Sequence, residues 1–429
     1  MKTTDSKRTV SFSGKLGPGL LLAATSIGAS HLVMSPKAGS AFGFQLLWLV
    51  PLTHLFKYHA FEFGPRYAAA TGESLIAGYA RLPGPRGWAL WVFLFGTIAQ
   101  GIGVLAGVAG IAAAVLTTFV GQMPFLFYSA LVIATVLLFL VFGGYGWLDF
   151  INKIMMTVLF AATIAVFVPA CPGPAVFRNF VIPSIPAGSI AVIAPILGWM
   201  PTGIDVSIWH SLWTLEKHAE LTSPEACRRR SEILRFSLTD MRVGYILSFV
   251  VASIFMLLGA VYLHGTSDKI DGVGFAKSLA KIYTDNIGYW MYFAFMIAAF
   301  TAMYSTVYAV MDGFSRSFAE TVSTIFPKIR TRWSPGLYWI FALSTAAFAF
   351  LILAVFKGKN PVTLVLDVAL LSLCVAPLYY GLNYYCVTRF VQEEKYRPKT
   401  PARLIALAGI VVMSLATLIC VASKLGIIK

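Results

Sequence analysis

Charged residues are scarce in this chain. Asp, Glu, Lys and Arg make up 12% of its 429 residues, whereas hydrophobic residues make up 58%. Because an average soluble protein carries roughly a quarter charged residues, the composition excludes an ordinary water-soluble domain. Acidic residues are the rarer sign, with 18 Asp and Glu against 33 Lys and Arg. We therefore expect an integral membrane protein, in which charge seldom interrupts the long apolar runs.

Cysteine and the common catalytic motifs are also scarce. The five cysteines are odd in number and lack the spacing of a metal site. We expect them to be small apolar packing residues and not a disulfide framework. No Ser-His-Asp order, paired thiolates or phosphate loop occurs, so we expect neither an enzyme nor a resident cofactor. The cysteines are Cys171, Cys227, Cys374, Cys386 and Cys420.

Apolar stretches of membrane-spanning length recur along the whole chain. About eleven are long enough, at about twenty residues, to cross a hydrocarbon core of roughly 30 Å. No segment between them is long enough to fold alone, so we expect an all-α polytopic membrane protein with one transmembrane domain at 17–423. The predicted spans are residues 17–41, 43–69, 87–117, 123–143, 149–170, 188–214, 240–263, 286–318, 335–356, 361–389 and 402–423.

The basic residues cluster between the predicted spans. With a cytoplasmic amino terminus, most of them fall in cytoplasmic loops, which is the distribution that orients inner-membrane proteins. The net charge of +15 therefore indicates topology and not a nucleic-acid partner; contact with anionic lipid is a weaker alternative. We expect a multi-pass plasma (inner) membrane protein with its carboxyl terminus outside. Residues 1–16 then form a cytoplasmic tail and not a cleaved signal peptide, and 424–429 form a short second tail.

Two predicted spans are interrupted at corresponding places. The first contains the polar break IGASH at 27–31, and the sixth contains WMPTGID at 199–205. Unwound backbone is tolerated in a bilayer only where it lines a cavity or is buried in protein. Matched breaks in two halves of a polytopic chain indicate a transporter site at the repeat interface. This pattern favours alternating access over a channel.

The spacing of the breaks predicts the internal symmetry. The first and sixth spans are the broken ones, so the second break comes five spans after the first. We predict a first repeat at 17–170, a second repeat at 188–389 and an eleventh helix at 402–423. The expected architecture is a five-plus-five inverted repeat with broken helices 1 and 6.

Short motifs on four spans occur in an order known from one transporter family. The motifs are Gly17-Pro18-Gly19, Ala38-Gly39, Phe42-Gly43-Phe44 and Leu46-Leu47-Trp48 on the first span, Arg66 and Thr71-Gly72 with Leu75 at the end of the second, Ile196-Leu197-Gly198 and His210-Ser211 on the sixth, and Val310-Met311-Asp312-Gly313-Phe314 on the eighth. Together they resemble the NRAMP divalent-metal transporters. The resemblance implies an APC-superfamily inverted repeat and metal uptake coupled to protons.

The chain departs from that family at the substrate site. The family uses an Asp-Pro-Gly-Asn break in helix 1 and a Met-Pro-His break in helix 6. Aligned without gaps, Gly28 stands at the metal-binding aspartate and His31 at the asparagine. The methionine position falls at Thr202 or Gly203, and Tyr308 stands where a glutamine is usual. Without the charged ligand and the soft thioether, direct coordination of a transition metal is disfavoured.

Burying an ionisable group inside a span is energetically unfavourable, so such a group usually has a function. Each of the following groups has a structural and a functional interpretation. Asp205 either caps the second half of the sixth span or holds a cationic group or proton in a cavity. Asp367 is either a proton-coupling group or the partner of an intramembrane base. His31 supports a freed carbonyl, contacts substrate or carries a proton. Lys37 either reaches the outer interface or neutralises Asp205 or Asp367.

Polar residues also share one face of the second span. His54, Lys57 with Tyr58, and Glu62 lie at helical spacing, with His59 three residues before Glu62. We expect an internal polar network that supports the seventh span or the cytoplasmic gate.

Two substrate classes remain open. In the first, the protein is an NRAMP-related carrier of a small organic or zwitterionic solute. In the second, it carries a divalent cation, such as partly hydrated magnesium or Mn/Fe, through Asp205, Asp367 and backbone carbonyls. Convergence of these two carboxylates favours the second, and a base that neutralises them favours the first. The substrate-site candidates are Gly28, His31, Thr202, Gly203, Asp205, Tyr308 and Asp367, and the coupling candidates are His31, Lys37, Asp205 and Asp367.

Overall fold

The chain is helical almost throughout the residues that the structure describes. In this computed structural model they are 27–142, 145–218, 226–266, 270–356 and 360–427. Within these ranges the ordered elements are all helices, which confirms the all-α polytopic fold class. The tail at 1–16 and Gly17-Pro18-Gly19 lie outside the described residues, and the repeat and domain boundaries stay predictions.

The helices of the first half cover the predicted spans up to the fifth. They are α1 (Ser35–Phe42), which continues a π-helical turn at Ser30–Met34, α2 (Leu49–Thr71), α3 (Leu75–Tyr79), α4 (Trp88–Phe119), α5 (Phe125–Phe142) and α6 (Tyr145–Phe167). The first span is seen only from residue 27 onward, where Ile27 and Gly28 form a bend before the π-helical turn.

The helices of the second half include the broken sixth span. They are α7 (Ile190–Trp199), α8 (Asp205–Lys217), α9 (Ala226–Leu258), which continues into a π-helical turn at Gly259–Leu263, α10 (Phe275–Asn286), α11 (Met291–Ile325), α12 (Pro327–Phe356), α13 (Pro361–Arg389) and α14 (Thr400–Lys424). Short 3-10 helices lie at Pro174–Phe180 and Glu394–Tyr396.

Helix length and apolarity agree with a membrane protein. Seven helices of the described part are long and apolar enough to cross a bilayer. Large apolar side chains such as Phe142 and Val355 are exposed on the outside of the bundle, as expected for a surface that faces lipid. Helix α10 was not predicted, because it is short and amphipathic and so lacks the hydropathy of a span.

The sixth span is broken where the sequence predicts. Helix α7 ends at Trp199, where the Met200 N–H still reaches the Ile196 carbonyl at 2.8 Å, and α8 begins at Asp205. Pro201 has no N–H to continue the ladder, which explains why the helix stops here. Residues 200–204 lie outside both helices, so several of their backbone groups, such as the Met200 and Thr202 carbonyls, are left to be satisfied by other elements.

Small residues let the central helices approach closely. A Cβ at Gly64 in α2 would overlap the Ser207 carbonyl oxygen in α8, so these two backbones are in direct contact. On α4, a Cβ at Gly107 would lie 3.3 Å from Val365 on α13. Residues of α2, α4, α8 and α11 consequently surround the break in the sixth span.

Candidate functional site

The two helix breaks touch each other. The Ser30 hydroxyl donates to the Pro201 carbonyl at 3.2 Å and lies 2.8 Å from His31 Nδ1. Ser30 and His31 are both buried. A side chain of the first break thereby satisfies a backbone carbonyl of the second, as unwound backbone inside a bilayer requires.

His31 joins the first break to α9 and α2. Its Nε2 lies 3.0 Å from the Ser248 carbonyl and 2.9 Å from the Ser248 hydroxyl. The same hydroxyl lies 3.2 Å from His54 Nε2, while His54 Nδ1 donates to the Val50 carbonyl at 2.8 Å. Both ring nitrogens of His31 are therefore engaged in hydrogen bonds that hold helices together.

The rest of the expected polar network on the second span is also present. Tyr245 on α9 donates its hydroxyl to the His54 carbonyl at 2.8 Å, and Arg242 Nε donates to the Tyr58 hydroxyl at 2.9 Å. Glu62 lies 2.5 Å from His59 Nδ1 and also pairs with Arg66. The polar face of α2 therefore supports the seventh span, as the sequence predicted.

A small cavity of about 30 Å³ lies beside the two breaks. Its polar lining residues are Ser30, Thr202, Asp205 and Thr306, and Asp205 is the one ionisable side chain among the lining residues. The walls are apolar and aromatic, formed by Ala29, Val104, Val108, Trp199, Val206, Trp209 and Val310, with Gly203 beside the carboxylate. Apolar walls with a few convergent polar groups are the chemical make-up of a small-molecule site, and a solute larger than a water or two must move these walls apart.

Asp205 is buried at the start of α8. It is 5% exposed, and its carboxylate accepts a hydrogen bond from its own backbone N–H. The N-cap position of α8 is held by Ile204, with no side-chain capping bond. The positive end of the helix dipole favours a carboxylate here. A Cβ at Gly203 would collide with Asp205 Oδ1, so the glycine leaves the space that the carboxylate occupies.

Gly28 lies against α11. Its carbonyl accepts from the backbone N–H groups of His31 and Leu32 at 3.1 and 3.0 Å. A Cβ at this position would lie 2.8 Å from the Thr306 hydroxyl oxygen. The structure thus brings Gly28, His31, Thr202, Gly203 and Asp205 together at the two breaks.

Asp367 lies in a different cavity. This second cavity, of about 150 Å³, is formed between α7, α13 and α14 and is lined by Pro195, Leu366, Cys420 and Lys424 among others. Asp367 Oδ1 lies 3.6 Å from Lys424 Nζ, and the two side chains are 54% and 61% exposed. The carboxylate pairs with a lysine at the end of α14, just beyond the predicted eleventh span, and not with a base inside a span; it does not share a cavity with Asp205.

Lys37 and Tyr308 also lie away from the central cavity. Lys37 Nζ donates to the Ile270 carbonyl at 3.0 Å and lies 3.7 Å from Asp271, so it pairs with neither Asp205 nor Asp367. On α11 the cavity is lined by Thr306 and Val310. Tyr308 stands between them in sequence and is influenced by the charge of Asp312, one turn further along the helix.

Lys57 occupies the break in the sixth span. Its Nζ lies 3.1 and 3.0 Å from the carbonyl oxygens of Leu197 and Gly198, at the end of α7. It also lies 2.9 and 2.8 Å from those of Met200 and Thr202, in the break itself. Sequence reasoning placed this lysine in the α2 network and missed the contact. The available indication was an unpaired lysine in the middle of an apolar span.

The match to known proteins decides the family. A sequence model described as natural resistance-associated macrophage protein-like (Nramp) matches residues 19–423. The chain belongs to the Nramp family. It is therefore a multi-pass membrane transporter, and the resemblance drawn from short motifs is confirmed.

Relatives of this Nramp chain include proteins with and without a substrate in their names. It is 30% identical over 427 residues to the uncharacterized protein PM0681 of Pasteurella multocida, covering 96% of this chain and 92% of the other. It is 23% identical over 273 residues to the divalent metal cation transporter MntH of Mesorhizobium japonicum, covering 59% and 56%.

Solved structures show the same fold. A manganese transporter of Eremococcus coleocola matches with a TM-score of 0.70 at 15% identity, covering 99% of this chain and 89% of the other. MhsT in complex with L-phenylalanine matches with a TM-score of 0.57 at 16% identity, covering 95% and 98%. The inverted-repeat architecture expected from the matched breaks is thus confirmed.

A second polar cluster lies at the other end of α8 in this Nramp chain. Asp312 accepts from Trp213 Nε1 at 3.1 Å, from Arg316 Nε at 2.7 Å and from the Tyr338 hydroxyl at 2.9 Å. Arg316 also pairs with Glu216 at 2.6 Å. Because these residues come from α8, α11 and α12, the cluster fixes the second half of the broken helix to its neighbours.

Proposed function

We propose that this Nramp-family transporter moves a small organic solute that carries a protonated amine, cationic or zwitterionic, by alternating access. One observation carries the proposal: the central cavity presents a single buried carboxylate, Asp205, within aromatic and aliphatic walls. A carboxylate binds an ammonium group through a charge-assisted hydrogen bond. Trp199 and Trp209 add apolar area and favourable faces for a cation.

The geometry offers little to a metal ion that is coordinated directly. Gly28 has no side-chain ligand, and both ring nitrogens of His31 are engaged by Ser30 and Ser248. Asp367 lies in the second cavity with Lys424. Among the described residues, no group of three or more His, Cys, Asp and Glu is arranged to hold a metal. Lys57 adds a positive charge that acts on Asp205 through space.

The alternative is a divalent cation carried as a partly hydrated ion. The names of similar proteins support a divalent cation, since they include a manganese transporter and a divalent metal cation transporter. The amino-acid complex of MhsT supports the organic solute, since that protein holds L-phenylalanine on a related fold. The cavity chemistry favours the organic solute, because a hard cation needs about six oxygen ligands and only one carboxylate lines the cavity.

Coupling and orientation belong to the same proposal. We assign Asp205 as the group that holds the substrate cation or an exchangeable proton, and we keep His31, in the first break, as a candidate for coupling. Lys37 and Asp367 are assigned no part in coupling, because each is paired outside the central cavity. We place the protein in the plasma (inner) membrane with its amino terminus in the cytoplasm and its carboxyl terminus outside.

The test is binding followed by uptake. Purified protein is screened by thermal shift against amino acids and organic amines, and titrated calorimetrically with manganese and magnesium. We expect one amine to stabilise the wild type but not Asp205→Asn, and to enter proteoliposomes that contain the wild type. Binding and uptake of either metal by the wild type, with no response to any amine, would establish the alternative instead.

A further inference from the structure

The break in the sixth span already contains a cation. Lys57 lies in the middle of α2, is 0% exposed, and directs its ammonium into the gap between α7 and α8. Four carbonyl oxygens lie 2.8 to 3.1 Å from Nζ. An ammonium has three hydrogens, so at least one of them is shared between two oxygens.

These oxygens need a donor because of where they come from. The last carbonyls of a helix have no partner within the helix, and those of Leu197 and Gly198 belong to the last turn of α7. The Met200 and Thr202 carbonyls belong to the unwound residues. Carbonyl groups aligned at a helix end carry partial negative charge, which attracts a cation. Lys57 thus satisfies at once the groups that the break leaves open.

The surroundings show how a buried lysine is tolerated. Asp205 at the start of α8 is the charged group that acts on Lys57 through space with opposite sign. His54, one turn earlier on α2, and His31 on the first span are the other titratable groups nearby. The Phe61 ring centroid lies 5.9 Å from Nζ. A buried charge is strongly unfavourable unless it is compensated, and Lys57 has four carbonyl acceptors with the opposite charge of Asp205 acting through space.

We propose that Lys57 is a tethered cation, which fills the break between α7 and α8 in place of a diffusible ion and holds the two half-helices in register. The half-helices then keep this arrangement without a bound inorganic ion. The inference does not depend on the proposed substrate, because it concerns the carbonyls of the break and not the cavity beside them. Failure of either proposal therefore leaves the other standing.

Chemical rescue tests this role directly. In Lys57→Ala the shortened side chain leaves a space beside the four carbonyls that a small free cation can enter. We expect the melting temperature of the purified variant to fall by roughly 5 °C or more and to recover with increasing methylammonium. Tetramethylammonium, which has no N–H to donate, is expected to give no recovery. Uptake by the variant is expected to require methylammonium as well.

Three matched measurements control the experiment. The wild type reports any methylammonium bound at Asp205, and Lys57→Ala with Asp205→Asn shows whether rescue persists without that carboxylate. Lys37→Ala removes a lysine that donates to one carbonyl near the surface, so no rescue is expected there. Equal stabilisation of wild type and Lys57→Ala by methylammonium, or none in either, would overturn the tethered-cation role.

A variant that does not fold still gives a decision. If Lys57→Ala is not recovered from ordinary medium, it is expressed with methylammonium chloride, and recovery only under that condition supports the role. Lys57→Met keeps the length of the side chain but has no charge or donor. A Lys57→Met protein with wild-type melting temperature and uptake would show that the carbonyls need no cation, and would refute the proposal.

Discussion

The central cavity and the second cavity each contain one intramembrane carboxylate, and the two differ in almost every respect. Asp205 is buried at a helix start, next to unwound backbone and aromatic walls. Asp367 is half-exposed in the second turn of a continuous helix and faces the ammonium of Lys424. A charge inside a span is therefore not enough to identify a site. The surrounding backbone decides whether the charge is available to a ligand.

The same contrast applies to the two lysines predicted within spans. Lys57 is enclosed by four carbonyls of the broken helix, whereas Lys37 is part-exposed and paired with Asp271. Each lysine donates to the carbonyl oxygens that lie within reach of its position. A helix break concentrates unsatisfied carbonyls, so the lysine that reaches the break in the sixth span is hydrogen-bonded there, and the other forms a peripheral ion pair.

The largest effect is expected from removing the central carboxylate. Asp205→Asn should lower uptake by more than tenfold, because a charge-assisted hydrogen bond contributes about 1.5–3 kcal/mol and about 1.4 kcal/mol corresponds to tenfold. Initial uptake into proteoliposomes measures the effect, with size-exclusion elution as the check on folding. Normal uptake would reduce Asp205 to a structural residue at the start of α8.

A smaller effect is expected from displacing that carboxylate without removing it. In Gly203→Ala the new methyl group collides with Asp205 Oδ1, so the side chain must turn away from its place in the cavity. We expect the KM for uptake to rise several-fold while the melting temperature changes little. Gly173→Ala is the matched control, because a Cβ there meets no atom within 4 Å. An unchanged KM would mean that the orientation of Asp205 is unimportant.

A third change tests whether the central cavity can be made to bind a metal ion. Gly28→Asp with His31→Asn restores two ligands that the family resemblance implies, and Thr306→Ala makes room for the new side chain. We expect weak manganese binding with Kd on the order of 1 mM, about −4 kcal/mol, because Lys57 remains nearby. Calorimetry measures it against the same variant with Gly28→Asn. No difference between the two would show that the sixth span still blocks a metal.

The smallest effect is expected in the second cavity. Asp367→Asn removes a half-exposed ion pair, of a kind that contributes about 0–1 kcal/mol. Uptake should stay within about fivefold of wild type, since a tenfold change needs about 1.4 kcal/mol. The same uptake assay as for Asp205→Asn makes the comparison direct. A loss as large as that of Asp205→Asn would give Asp367 a coupling role and erase the contrast between the two cavities.

Much of the architecture could be predicted without the structure. The spans followed from hydropathy, and the break in the sixth from Pro201 and Gly203, because both are local properties of the chain. The short amphipathic helix α10 was missed because it lacks the length and the hydropathy of a span. Motifs on four spans were enough to indicate the family that the comparisons confirm.

The candidate site was predicted in part. The residues at and next to the breaks, from Gly28 and His31 to Asp205, came together because the breaks themselves meet. Tyr308 was chosen by alignment with the family and Asp367 as a charged group inside a span, and the structure places both outside the central cavity. Hydropathy does not show which way a side chain on a long helix points.

Sequence alone determined that this protein is a helical membrane transporter with two broken helices, because span length, apolarity and helix-breaking residues act locally. Only the tertiary structure decided which charges meet. Lys57 reaches carbonyls about 140 residues away, and Asp367 faces Lys424 on another helix. Such pairings depend on the rotation and packing of whole helices, which are set by close contacts such as that of Gly64 with Ser207.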